Sequence, residues 1–94
     1  MRGLFKPSFP VSHTRIKICG ITRPEDALVA VASGADAIGL VFYAGSKRAV
    51  STDVAAEIAQ AVPPFVTVVA RFVDELVEEI ERIVTTVAID MIQF

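Results

Sequence analysis

The sequence predicts an α/β fold built on a parallel sheet, and three observations carry that expectation. Four short apolar runs alternate with three segments of helical periodicity. The middle runs are apolar at consecutive positions, as in strands covered on both faces. The runs start near residues 15, 37, 66 and 89, a loose βα period without an internal sequence repeat, which leaves room for a right-handed helical crossover between successive strands.

Each element has its own warrant. The first strand is expected over Arg15 to Cys19, where an apolar run ends in a thiol and Gly20 turns the backbone. Thr22 followed by Glu25 has the form of a capping box, with Pro24 inside the first helical turn. Ala27, Leu28, Val31 and Ala32 then recur at helical spacing, and Gly34 stands at the C′ position of that helix. A second strand, Ala37 to Phe42, leads into the loop Tyr43-Ala44-Gly45-Ser46-Lys47-Arg48. Ser51 is placed to cap a second helix with the stripe Val54, Ala55, Ile58, Ala59 and Val62. Pro63 and Pro64 stop it, because proline has no N–H for the helix ladder and clashes with the preceding turn. The third strand is expected from about Phe65 to Val73, with Asp74 capping a third helix. Leu76, Val77, Ile80, Ile83 and Val84 form the apolar face of that helix, and Glu75, Glu78, Glu79, Glu81 and Arg82 its solvent face. A fourth strand covers about Ile89 to Phe94.

Composition narrows the class of protein. Ninety-four residues make one small domain or part of a larger one. The hydrophobic fraction of 53% lies above the roughly 45–50% of ordinary domains. A chain this short buries a modest share of its surface, so part of its core is expected from a partner chain or a continuation. A net charge of −2 and a pI near 5.2 leave no basic stripe and argue against nucleic acid. No run approaches the roughly 18 consecutive apolar residues of a membrane span. One cysteine precludes an internal disulfide and fits a reducing cytoplasm, and with one histidine it does not make a structural zinc site. Residues 1–14 carry Arg2 and Lys6, no acid, and Pro7 and Pro10; they read as a flexible extension or a short organellar address, with His13 a solvated loop residue. Residues 15–94 form the folded unit.

Cys19 is the candidate for chemistry. It ends a strand of a parallel sheet, and such folds gather their reactive groups at the carboxyl ends of their strands. A thiol acts as a base or nucleophile only as thiolate, which a neighbouring cation or helix N-terminus favours. The alternative is a small buried hydrophobe, the usual fate of a free cysteine. A thiol redox site is disfavoured by the lack of a CxxC pair or a resolving cysteine.

Lys17-Ile18-Cys19-Gly20-Ile21-Thr22, Glu25-Asp26-Ala27, Gly34-Ala35-Asp36-Ala37-Ile38-Gly39 and Val41-Phe42-Tyr43 closely resemble segments of the phosphoribosylanthranilate isomerase family. So do Ser46-Lys47-Arg48, Pro63-Pro64-Phe65-Val66 and Ile92-Gln93-Phe94, all in the family's order and spacing. The resemblance implies a (β/α)₈ TIM barrel, of which residues 15–94 would supply about the amino-terminal half, four strands and three helices. It implies an enzyme of tryptophan biosynthesis that performs an Amadori rearrangement on a phosphorylated sugar-anthranilate, with no metal and no organic cofactor. By the same resemblance, Cys19 is the general base, Arg48 binds substrate or supports the thiolate, and Gln93 is a substrate-binding residue at the end of the fourth strand. The alternatives for Arg48 and Gln93 are a solvated surface arginine and a chain-end side chain without fixed direction, and Lys47 is expected in solvent.

The chain departs from the family's pattern at a few positions. Members commonly carry proline and lysine where Ala44 and Gly45 stand, an aromatic residue at Ala49, glycine at Ala70 and an apolar residue at Arg71. The family's general acid, an aspartate, and its phosphate-binding loops belong to later strands. The 94-residue chain by itself is therefore expected to be inactive and to need a complementing carboxyl-terminal half. The second reading is a non-catalytic half-barrel module that forms a homo-oligomer through its exposed sheet edges.

Overall fold

The computed structural model describes residues 15–94, so the reading of residues 1–14 lies outside the described residues. Seven elements alternate: β1 (Lys17–Cys19), α1 (Pro24–Ala32), β2 (Ala37–Val41), α2 (Thr52–Ala61), β3 (Thr67–Arg71), α3 (Val77–Thr86) and β4 (Met91–Gln93). The four strands form one parallel sheet in the order β1-β2-β3-β4. β1 ends at Cys19 and β2 begins at Ala37 as the apolar runs suggest; the other strand ends fall one or two residues inside them.

Alternation along the strands separates two faces. Ile38 and Leu40 of β2 and Val68 and Ala70 of β3 are sealed against the helices. There they join Ala27 and Ala30 of α1, Ala55, Ile58 and Ala59 of α2 and Ile83 of α3 in one apolar cluster. Phe72 fills the end of this layer, its ring stacked on Phe42 at 5.3 Å between centroids. The intervening residues Lys17, Cys19, Gly39, Val41, Val69, Arg71, Met91 and Gln93 occupy the opposite face by the same alternation. Val41 and Val69 are buried yet stand outside the helix-side cluster, which fits that placement.

That opposite face is concave. Lys17 Nζ on β1 donates to Gln93 Oε1 on β4 at 2.6 Å. Three strand spacings on a flat sheet amount to about 14 Å, beyond the joint reach of the two side chains in most directions. The contact follows only if the sheet curls toward itself.

The helix ends explain where sequence patterns succeed and fail. Ser51 caps α2, its Oγ accepting the Val54 N–H at 3.2 Å. Gly34 closes α1 at φ +104°, with the Ala35 N–H on the Ala30 carbonyl and the Gly34 N–H on the Val31 carbonyl. Thr22 does not cap α1; Arg23 does, in extended conformation at φ −141° and ψ 146°. Proline at the first helical position forces this, because it drives the preceding residue out of the helical region. Asp74 likewise does not cap α3: it adopts φ +52°, and the helix begins after Leu76. Leu76 is consequently 69% exposed and Val77 is also exposed, so neither belongs to the buried face; Leu28 of α1 also points outward.

The amino-terminal ends of the strands share one device. Asp36, just before β2, accepts the Ile16 N–H through Oδ2 at 2.8 Å. Asp90, just before β4, accepts the Val68 N–H through Oδ2 at 2.8 Å. Each carboxylate satisfies a backbone donor in or just ahead of a neighbouring strand: Ile16 before β1 and Val68 in β3.

Candidate active site

At the carboxyl ends of the strands two glycines shape the surroundings of Cys19. Gly39 lies directly opposite Cys19 in the β1–β2 register. A β-carbon there would stand 2.8 Å from Cys19 Sγ and 3.2 Å from its Cα, so only glycine leaves the thiol its position. Gly20 then turns the chain at φ +81°, and the N–H groups of Gly20 and Ile21 converge on the Gly39 carbonyl at 3.0 and 3.2 Å. Positive φ of this kind is open to glycine at little strain.

Arg48 arrives from the loop after β2. That loop is held by its own hydrogen bonds: Ser46 N–H to the Tyr43 carbonyl at 2.9 Å, Arg48 N–H to Ser46 Oγ at 3.1 Å, and Val50 N–H back to the Val41 carbonyl at 3.0 Å. The Arg48 side chain lies across the bare face of Gly20, where a β-carbon would meet Cδ at 2.6 Å and Nη1 at 2.7 Å. A guanidinium thus rests on the residue that follows the thiol.

Cys19 and Arg48 line one cleft of about 340 Å³, together with Val41, Tyr43, Ser46 and Arg71. No side chain lining it is acidic. Gln93 lies on the same concave face, in register with Arg71 of β3, but it is bound to Lys17 and is not part of the cleft wall. A larger apolar hollow of about 430 Å³, lined by Ala37, Thr67, Val69 and Met91 among others, lies toward the amino-terminal ends of the strands and contains no thiol. Of these two, Cys19 lines the smaller.

Two acids at this end are held by arginines. Asp26 in the first turn of α1 is held below the usual carboxylate range by its hydrogen bond from Arg23, with desolvation opposing. Glu79 is lowered in the same way by Arg82 of α3, and both arginines are raised in return. Among the described residues no group of three or more His, Cys, Asp or Glu side chains gathers to hold a metal ion. No described helix is long and apolar enough to cross a membrane.

The motifs name Cys19 and Arg48, which the structure brings to one cleft, and assign no part to Gly39, Tyr43 or Lys17. Gly39 is visible as a glycine within an apolar strand, a common mark of close approach. The cross-sheet meeting of Lys17 and Gln93 left no local signal.

A curled parallel βα sheet with its strands in sequential order defines this chain as part of a (β/α)₈ barrel. Residues 16–94 match the family described as N-(5'-phosphoribosyl)anthranilate (PRA) isomerase, and the chain belongs to that family. The N-(5'-phosphoribosyl)anthranilate isomerase of Neisseria meningitidis serogroup C is 60% identical over 80 residues, which cover 85% of this chain and 38% of that one. The crystal structure of phosphoribosyl anthranilate isomerase from Thermotoga maritima superposes with a TM-score of 0.83 at 48% identity, over 86% of this chain and 40% of that one. A further isomerase structure, in complex with reduced 1-(o-carboxyphenylamino)-1-deoxyribulose 5-phosphate, aligns with the same TM-score of 0.83 and 48% identity, over 86% of this chain and 42% of that one. The chain therefore spans about 38% of the length of the curated relatives it matches.

Proposed function

We propose that residues 15–94 supply the first four strands of a phosphoribosylanthranilate isomerase and carry its general base. The single observation behind this reading is the Cys19 thiol at a strand's carboxyl end, given room by Gly39 and flanked by the Arg48 guanidinium, within a chain of that family. The substrate is N-(5-phosphoribosyl)anthranilate, of which the bound molecule in the related complex is a reduced product-like form.

The reaction needs two proton movements. An acid protonates the ribose ring oxygen, the C1–O bond breaks, and the nitrogen lone pair forms an iminium at C1. The Cys19 thiolate then takes the proton from C2, and the C2–H electron pair moves toward the iminium nitrogen to give an enolamine. Tautomerisation of that enolamine to the ketone completes the change from aminoaldose to aminoketose. The iminium is the electron sink, so no metal or organic cofactor is required. In this scheme Arg48 favours the thiolate and engages the anthranilate carboxylate. Gln93 contributes a neutral polar group to the substrate site once it is released from Lys17. The acid and the phosphate loops are furnished by later strands of the barrel. A base that must remain a free thiol fits a cytoplasmic location.

The test is complementation. The 94-residue chain, mixed with a polypeptide carrying the remaining strands of a relative, is expected to convert N-(5-phosphoribosyl)anthranilate, while the chain alone gives no turnover. Folded, associated halves without activity would overturn the reading.

A second reading rests on the exposed apolar residues at both sheet edges, Ile16 just before β1, Ile18 in it, and Met91 and Ile92 in β4. Such edges invite another strand, and a non-catalytic module would use them to pair with a second copy. Light scattering separates the two: a monodisperse monomer with a cooperative melt removes the self-association reading.

A further inference from the structure

We propose that Arg71 is a second carboxylate-binding residue of the cleft, acting with Arg48 on the aromatic end of the substrate. Arg71 is the last residue of β3. Ala70 before it is fully sealed on the helix side, so alternation places Arg71 on the concave face, between Val41 of β2 and Gln93 of β4. It lines the same cleft as Cys19 and Arg48. Among the described residues no carboxylate forms an ion pair with either guanidinium.

Two arginines sharing one small cleft without an acid repel each other, and an anion between them removes that repulsion. Their forks suit a planar carboxylate, each offering paired N–H donors. Tyr43 supplies the aromatic side of the same pocket: its ring lies over Gly45, where a β-carbon would stand 2.6 Å from the hydroxyl oxygen. The ligand class that fits is a small aromatic carboxylate. Assigning it to the substrate rests on the isomerase reading. Of that substrate's two anionic ends, barrels of this type take the phosphate on loops after the seventh and eighth strands, which leaves the carboxylate for the cleft beside β2 and β3.

The test is a titration of the 94-residue chain, followed by nuclear magnetic resonance, with anthranilate and with aniline, which keeps the ring and lacks the carboxylate. Anthranilate is expected to saturate and to shift the side-chain Nε–H signals of Arg48 and Arg71. Arg71→Val is expected to weaken it about tenfold, in line with loss of a charge-assisted hydrogen bond, and Arg71→Lys by less. Aniline is expected to bind weakly and equally to all three chains. Equal anthranilate affinity in the parent and in a folded Arg71→Val chain overturns the proposal, as does an absence of saturable anthranilate binding to the parent. In the complemented enzyme Arg71→Val is expected to raise KM and leave kcat nearly unchanged. A complemented enzyme with no turnover would remove the isomerase reading alone, because the titration still decides the role of Arg71.

Discussion

The two ends of the sheet are built on opposite principles. At the amino-terminal ends, the carboxylates of Asp36 and Asp90 each take a backbone N–H at the start of the strand before them, from Ile16 and Val68. At the carboxyl ends, a thiol and two arginines line a cleft without an acid. One end is satisfied internally; the other holds its polar groups ready for something else. The difference teaches that a βα unit can place stability and chemistry at its two ends, so that either can change without the other. Four substitutions or conditions probe how complete that separation is.

The largest effect is expected from Cys19→Ser. In the complemented enzyme, turnover is expected to fall by about 10²–10⁴, the usual contribution of a general base, with the melting midpoint of the chain nearly unchanged. Turnover within a factor of two of the parent would remove Cys19 from the mechanism. A large fall in stability would show instead that the thiol belongs to the packing.

Gly39→Ala tests the same site through its neighbour. The new methyl group would stand 2.8 Å from Sγ and 3.2 Å from the Cys19 Cα, so the thiol must move. A displacement of order 1 Å in a reacting group reduces rate about 10²-fold, and turnover is expected to fall by that amount while the helix-side core stays intact. Activity equal to the parent would mean that the base tolerates displacement and that the register at Gly39 is not functional.

Asp90→Ala addresses the opposite end. It leaves the Val68 N–H without its partner, and an unsatisfied, partly buried donor costs about 1–3 kcal/mol. Chemical denaturation of the chain reads that loss, and kcat of the complemented enzyme is expected to hold. A drop in kcat larger than the loss of folded protein explains would break the division between the two ends.

How much of this was legible in the sequence follows from the range over which each signal acts. Strand order and type were readable because apolar runs and crossover lengths are local. Ser51 was readable because its cap forms three residues away. Thr22 and Asp74 failed for reasons equally local but competing: Pro24 fixed the start of α1 one residue later, and Asp74 took a left-handed turn ahead of α3. Leu28, Leu76 and Val77 have the right spacing for a buried stripe, yet no described element packs over them. At the site, the positions of Cys19 and Arg48 followed from strand-end logic and motif. The fit of Gly39 against the thiol depends on a register between residues twenty apart. The Lys17–Gln93 contact, 76 residues apart, depends on the curl of the whole sheet.

The smallest effect concerns two acids that stand at the carboxyl-terminal end without entering the cleft. Asp26 and Glu79 are each bound by an arginine three residues away on or beside their own helix. Hydrogen bonding from Arg23 and Arg82 lowers both carboxyl pKa values in the folded chain. A lowered folded value means that the stabilisation is present above the unfolded carboxylate range and is lost as pH falls through the folded values. The arginines stay charged throughout, so their raised values add nothing in this window. Both pairs are open to solvent, where ion pairs contribute little and salt screens them. The double substitution Arg23→Ala/Arg82→Ala is therefore expected to make the melting midpoint fall slightly less steeply between neutral and acid pH, and only at low salt. The cleft is expected to bind anthranilate as the parent does at neutral pH, because these pairs occupy their acids away from it. A double variant with tighter anthranilate binding would show that the local pairs compete for the cleft's cations, and the carboxyl-terminal end would then be less separate from its helices than its geometry indicates.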